Sequence, residues 1–150
     1  FILGITSILT SALLTGGIGP WLGYQLFAAG WIGLFAGWLP KKIRGKPEIL
    51  MLVLYAIASS FIFGLLMDLQ FWPWALGLET QLSYIPNGDI ATNLNRFIVF
   101  HFATSMAWDI PRAILTRTLI ILSAPAILGA LRRTKFRLHL FVQKWIFGPN

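Results

Sequence analysis

Residues 104–117 read TSMAWDIPRAILTR, and the chain runs on as LIILSAPAILGAL over 119–131 before closing on RRTKFR at 132–137. An acid and two arginines head an uncharged run that ends abruptly in a basic cluster. What this means depends on the solvent around the segment. About 20 apolar residues at 1.5 Å each cross the hydrocarbon core of a bilayer, and charges at the two ends then mark its two interfaces.

Composition favours that setting. The 150 residues are 57% hydrophobic and 11% charged, with mean hydropathy +0.73, whereas a soluble domain carries roughly 25% charged residues. Long runs without charge leave too little polar surface for a water-exposed globule. The expectation is an all-α integral membrane protein folded as one helical bundle. Full spans are expected at residues 21–39, 48–71 and 109–131, with a partial one at 1–14. The opening FILGITSILTSALL has neither an initiator Met nor a basic leader, and reads as an apolar segment entered partway, an N-terminal truncation. The absence of cysteine excludes disulfides, thiolate metal sites and cysteine nucleophiles.

The net charge of +7 would suggest nucleic acid on a soluble protein. Its placement points to membrane topology instead. KKIRGKPE (41–48) holds four Lys and Arg, RRTKFRLHLFVQK (132–144) holds five, and the loop between the second and third spans holds one, Arg96. By the positive-inside rule the KKIRGK loop and the C-terminus are cytoplasmic and residues 72–108 external. Residues 1–131 form the bundle with its external cap at 72–108, and 132–150 a basic cytoplasmic tail suited to an anionic inner leaflet. In the cap, Trp72 and Trp74 are placed at headgroup level, and NLNRFIVFHFATSMAW (93–108) reads as an interfacial helix too short to cross.

Asp109 ahead of Ile110-Pro111 has the form of a helix start, with Asp as N-cap and Pro in the first turn. Arg112 then lies about one turn below the surface and Arg117 about 10 Å deeper than Asp109, where a guanidinium faces the bundle interior or a wet cavity. Asp68, three residues before Phe71, lies at the depth of Arg112. Two readings stay open: an ion pair that locks the second span to the third, or a pocket for a polar ligand lined by Asp68, Arg112 and Arg117. Ala29, Gly33 and Gly37 form a small-residue face for packing against a partner helix, and Gln25, a turn inside its span, needs a hydrogen-bond partner. His101 is read as interfacial and His139 as part of the tail. No HExxH, Gly-x-Ser-x-Gly, Walker A or metal-ligand cluster is present. The chain is therefore read as a non-enzyme without metal or cofactor.

Three stretches together resemble a known family. GIGPWLGYQLFAAGWIGLFAGWLP (17–40) is similar to the fourth span of the substrate-binding S components of bacterial energy-coupling factor (ECF) transporters, with a Gly-Pro-Trp turn followed by Gln-x-x-x-x-Gly-x-x-Gly-x-x-Ala-Gly. MDLQFWPW (67–74) resembles the outer end of their fifth span, and TSMAWDIPRAILTRTLIILSAPAILGALRR (104–133) their sixth. The resemblance covers most of residues 16–133. It implies a six-span protein of the bacterial cytoplasmic membrane that captures a vitamin or related micronutrient at the outer face. A transmembrane coupling subunit and two cytoplasmic ATPases then drive inward release by toppling the S component. Arg117 departs from the family pattern, which has a small or amide residue there, so no particular substrate is carried over. The expected pocket consists of Gln25, Asp68, Trp72, Trp108, Arg112 and Arg117, the arginine attracting an anionic group and the tryptophans stacking on a ring. The rival reading is an assembly subunit whose small-residue faces serve only to hold partners.

Overall fold

The computed structural model describes residues 1–75 and 80–147, without the side chains of residues 75, 139–144, 146 and 147. Part of the expected cap, residues 76–79, and the end of the expected tail, residues 148–150, lie outside the described residues. The described residues form five α-helices and no strand: α1 (Ile2–Thr15), α2 (Leu22–Gly37), α3 (Lys46–Ala75), α4 (Ile90–Thr104) and α5 (Met106–Phe147).

Two of these helices are long and apolar enough to cross a membrane, over Lys46–Trp74 and Met106–Leu138. They pack along each other as the main pair of the bundle. The α5 helix starts three residues before the expected Asp109 and runs on through the stretch assigned to the basic tail. Strong helix formers such as Leu, Arg and Lys in RRTKFRLHL permit that continuation. The α1 and α2 helices are apolar but shorter, at 14 and 16 residues.

The first two helices cross where side chains are absent. A Cβ at Gly4 would run into the carbonyl of Ala29, and one at Gly33 would lie 3.1 Å from the backbone nitrogen of Gly4. The small-residue face of α2 is thus used within the chain, with α1 as its partner. Gly37 takes no part, because a Cβ there would meet nothing within 4 Å. The α1 helix ends at Gly16, whose φ of 66° suits a residue without a Cβ and whose N–H returns to Ala12. A hydrogen bond of 2.5 Å from the Tyr55 hydroxyl to the Ile32 carbonyl joins α3 to α2.

The segment 80–89 and α4 fold over one end of α3. Asp89 caps α4 by accepting from the Thr92 N–H at 3.0 Å. The Asn93 side chain bonds both the N–H and the carbonyl of Ile85 at 2.9 Å, and Arg96 donates to the carbonyls of Thr80 and Ser83. Trp72, Phe97 and Phe100 form a buried aromatic cluster, closed by Leu82. Between α4 and α5 stands the single residue Ser105, whose N–H donates to His101 and whose carbonyl accepts from Asp109.

Candidate functional site

Three helices converge on a cavity of about 340 Å³ at the α4 end of α3. Each contributes residues at helical i, i+3, i+4 spacing, so that one face of each looks inward. From the start of α2 come Trp21 and Gln25; from α3 come Phe63, Gly64, Met67, Asp68 and Phe71; from the α4–α5 junction come Ser105, Trp108, Asp109 and Arg112. Lys46 and Asp68 are 22 positions apart in the sequence, or about 33 Å along one helix. The cavity and the KKIRGK loop therefore lie at opposite ends of α3.

The polar groups of the wall form two sets. Asp68 Oδ2 accepts from the Ser105 hydroxyl at 2.5 Å and pairs with His101 Nδ1 at 2.7 Å. All three residues are buried. His101 is a buried link from α4 to α3, stacked on Phe97 with ring centroids 6.1 Å apart. The second set is Asp109 and Arg112, joined at 2.7 Å between Asp109 Oδ1 and Arg112 Nη1. The same nitrogen donates to the Ser60 carbonyl at 3.2 Å, and the guanidinium lies 4.8 Å from the centroid of the Phe63 ring.

This geometry corrects the sequence expectation in four respects. Asp68 and Arg112 share a cavity but not an ion pair; each is engaged by residues closer to it along or beside its helix. Asp109 is not an N-cap. Its N–H already donates to Ser105 within the helical ladder, and its side chain is fully buried against α3. Trp72 is outside the cavity, because its ring belongs to the cluster with Phe97 and Phe100 and its Nε1–H donates to the Leu82 carbonyl at 2.7 Å. Arg117 is outside as well and exposed. Five residues at 100° each turn it about 140° away from Arg112 around the helix.

Gln25, Asp68, Trp108 and Arg112 are brought together as expected, Trp108 at the rim with 73% of its surface exposed. Sequence reasoning missed Asp109, Ser105, Gly64 and Trp21 as members of the wall. The face rule would have found them: Gly64 and Asp68 are four apart, as are Ser105 and Asp109, and Trp21 and Gln25. Gly64 has a specific role. A Cβ there would run into the Asp109 carboxylate, so the buried acid fits only because α3 presents a glycine.

Among the described residues, Asp109 Oδ2 is buried without a hydrogen-bond partner, and no group of three or more His, Asp or Glu is placed to hold a metal ion. A second cavity of about 260 Å³, between α1, α2, α3 and α5, shares Phe63 and Arg112 with the first. No protein-family model, curated protein or solved structure matches the chain.

Proposed function

We propose that the chain is the substrate-capture subunit, or a part of it, of an ECF-type importer for a vitamin or related micronutrient. The observation that carries the reading is the cavity at the α4 end of α3: its volume is at the lower end of the range of small-molecule sites, and its wall is largely apolar with a few convergent polar groups. The chain sits in the bacterial cytoplasmic membrane with the KKIRGK loop and C-terminus inside, so that the cavity opens outward and α4 lies over it at the interface. The large apolar side chains that α5 leaves exposed, Leu115, Leu119 and Leu122 among them, support a lipid setting. So does the length of α3 between Lys46 and the cavity, which is close to the thickness of a hydrocarbon core. The α2 helix crosses with its flanking residues, and α1 packs beside it through Gly4 and Gly33. A coupling subunit and two ATPases complete the importer, and the chain itself carries out no chemical step.

Affinity purification from the native membrane tests this. The expected result is recovery with an ATPase-bearing coupling module and, by mass spectrometry, with a small molecule in stoichiometric amount. Recovery with membrane partners lacking any ATPase, and with no bound small molecule, would replace capture by the assembly reading.

A further inference from the structure

The basic charge of the chain gathers at the end of the α3–α5 pair opposite the cavity just described. Residues 41–48 and 132–137 hold eight of the twelve Lys and Arg and only one of the five acids, Glu48. That acid is already occupied, since both its oxygens accept from Arg132 Nη2. Among the described residues, the Lys46 ammonium and the Nε and Nη1 groups of Arg132 have no hydrogen-bond partner. Lys46 and Arg132 stand at the mouth of another cavity, of about 330 Å³, between the start of α3 and α5. Both side chains reach solvent there. Below them the wall is apolar, with Ile49 from α3 and Leu128 and Pro125 from α5. Residues 125, 128 and 132 share one face of α5, and Pro125 lies seven residues, about 10 Å, deeper along the helix than Arg132. Cations thus line the mouth and hydrocarbon the floor. The apolar surface continues outside: Leu50 and Leu54, one and two turns along α3 from Lys46, are each 59% exposed. A soluble anion would meet the cations and leave this surface bare, whereas an amphiphile would cover both.

We infer that this cavity is a binding site for an anionic phospholipid. The phosphate diester accepts from Lys46 and from the unused N–H groups of Arg132, while the first acyl carbons rest on Ile49, Leu128 and Pro125 and the chain runs on along Leu50 and Leu54. Basic pockets between membrane helices on the cytoplasmic side take lipid headgroups in this way, and hydrogen bonds between a cation and a phosphate are among the strong ones. Glu48, held by Nη2, keeps the Arg132 guanidinium over the mouth. A lipid seated here touches both α3 and α5 and adds to the fastening that Glu48 and Arg132 make. The inference depends on the membrane setting and not on substrate capture, so it stands or falls apart from what the other cavity carries.

Native mass spectrometry of the purified chain in a nonionic detergent tests it. The probes are dioleoylphosphatidylglycerol, zwitterionic dioleoylphosphatidylcholine, and glycerophosphoglycerol, the deacylated headgroup of the first. The expected result is one saturable phosphatidylglycerol site per chain, at least tenfold tighter than phosphatidylcholine, with no measurable binding of the deacylated headgroup. Lys46→Gln weakens that site about fivefold, the worth of one cation near an anionic lipid surface, and Lys46→Arg restores it. The position is exposed, so neither substitution threatens folding. Lys42→Gln removes an equal charge from an exposed loop position outside the cavity and leaves the affinity within twofold. Equal losses in Lys46→Gln and Lys42→Gln would reduce the site to diffuse attraction between the basic end and any anionic surface. Phosphatidylcholine bound as tightly as phosphatidylglycerol would remove the role of charge, and the deacylated headgroup bound as tightly as the lipid would make this a site for soluble phosphates. Each of these outcomes, or the lack of a saturable site for any probe, overturns the inference.

Discussion

Two arginine–carboxylate pairs lie on the α3–α5 pair of helices, one near each end, and they are built differently. At the KKIRGK end, Arg132 of α5 donates through Nη2 to both oxygens of Glu48 on α3, at 2.5 and 2.6 Å. Both acceptor oxygens are used, and the bond joins two helices. At the other end, Arg112 reaches only three residues back along its own helix to Asp109, and one oxygen is left over. The first pair has the form of a fastening between helices. The second is local and half-buried, and its spare oxygen packs against Gly64 of α3. A lock between the second and third apolar segments was legible as a need, but it occurs through Glu48 and Arg132 and not through Asp68 and Arg112.

The comparison breaks most sharply at Gly64. Replacing it with Leu would push a branched side chain into the space of the Asp109 carboxylate. The expected cost is about 3 kcal/mol, the upper end for overpacking a core position, together with complete loss of the bound small molecule. Thermal unfolding in detergent and mass spectrometry of the purified variant measure the two effects. A variant that kept both its stability and its cargo would show that the Gly64–Asp109 contact has no part in the site.

The next effect belongs to Asp68. Asp68→Ala removes the shared acceptor of Ser105 and His101, leaving two buried donors unmet at about 1 kcal/mol each. The loss of about 2 kcal/mol is expected to be concentrated in α4, because His101 is its buried polar link to α3. Hydrogen exchange read by mass spectrometry should show faster exchange over Ile90–Thr104 than over α3 and α5. Uniform loosening of all helices would mean that α4 is not held as a separate layer.

How much of this was legible in the sequence follows from what each signal encodes. Apolar length is one-dimensional, so α3 and α5 could be read from residue runs, and the small residues of α2 could be read as a packing face because Gly and Ala lack the bulk that keeps backbones apart. Pro86-Asn87-Gly88 is turn chemistry of the kind a sequence shows directly, and Asn87 adopts a φ of 60° there. The candidate site was half legible. Depth along a helix identified Gln25, Asp68 and Arg112, since polar groups inside apolar runs need partners. Depth does not give direction around the axis, and that is why Arg117 was placed in the pocket and Asp109 was taken for a cap. The aromatic cluster that claims Trp72 depends on α4 folding back over α3, a long-range contact that no local pattern in either segment encodes.

At the KKIRGK end the expected effect is smaller. Glu48→Gln keeps the side-chain shape and removes the charge facing Arg132, whose side chain is 42% exposed. An exposed pair of this kind contributes about 0.5–1 kcal/mol, so a modest fall in unfolding temperature is expected, with ligand retention unchanged. If Glu48→Gln emptied the cavity as Gly64→Leu is expected to, the two ends would be coupled through α3 and α5, and the division between fastening and site would not hold.

The smallest effect is expected at Arg117, where it separates depth from direction as the basis for assigning the wall. The side chain is exposed, is absent from both cavities that Arg112 lines, and is turned about 140° from Arg112 around α5. Arg117→Gln should therefore change stability by no more than about 0.5 kcal/mol, as for surface substitutions away from special features, and should leave native cargo as it is. Loss of the cargo would place the guanidinium in the ligand's path after all. Depth along α5, and not direction around it, would then decide which side chains form the wall.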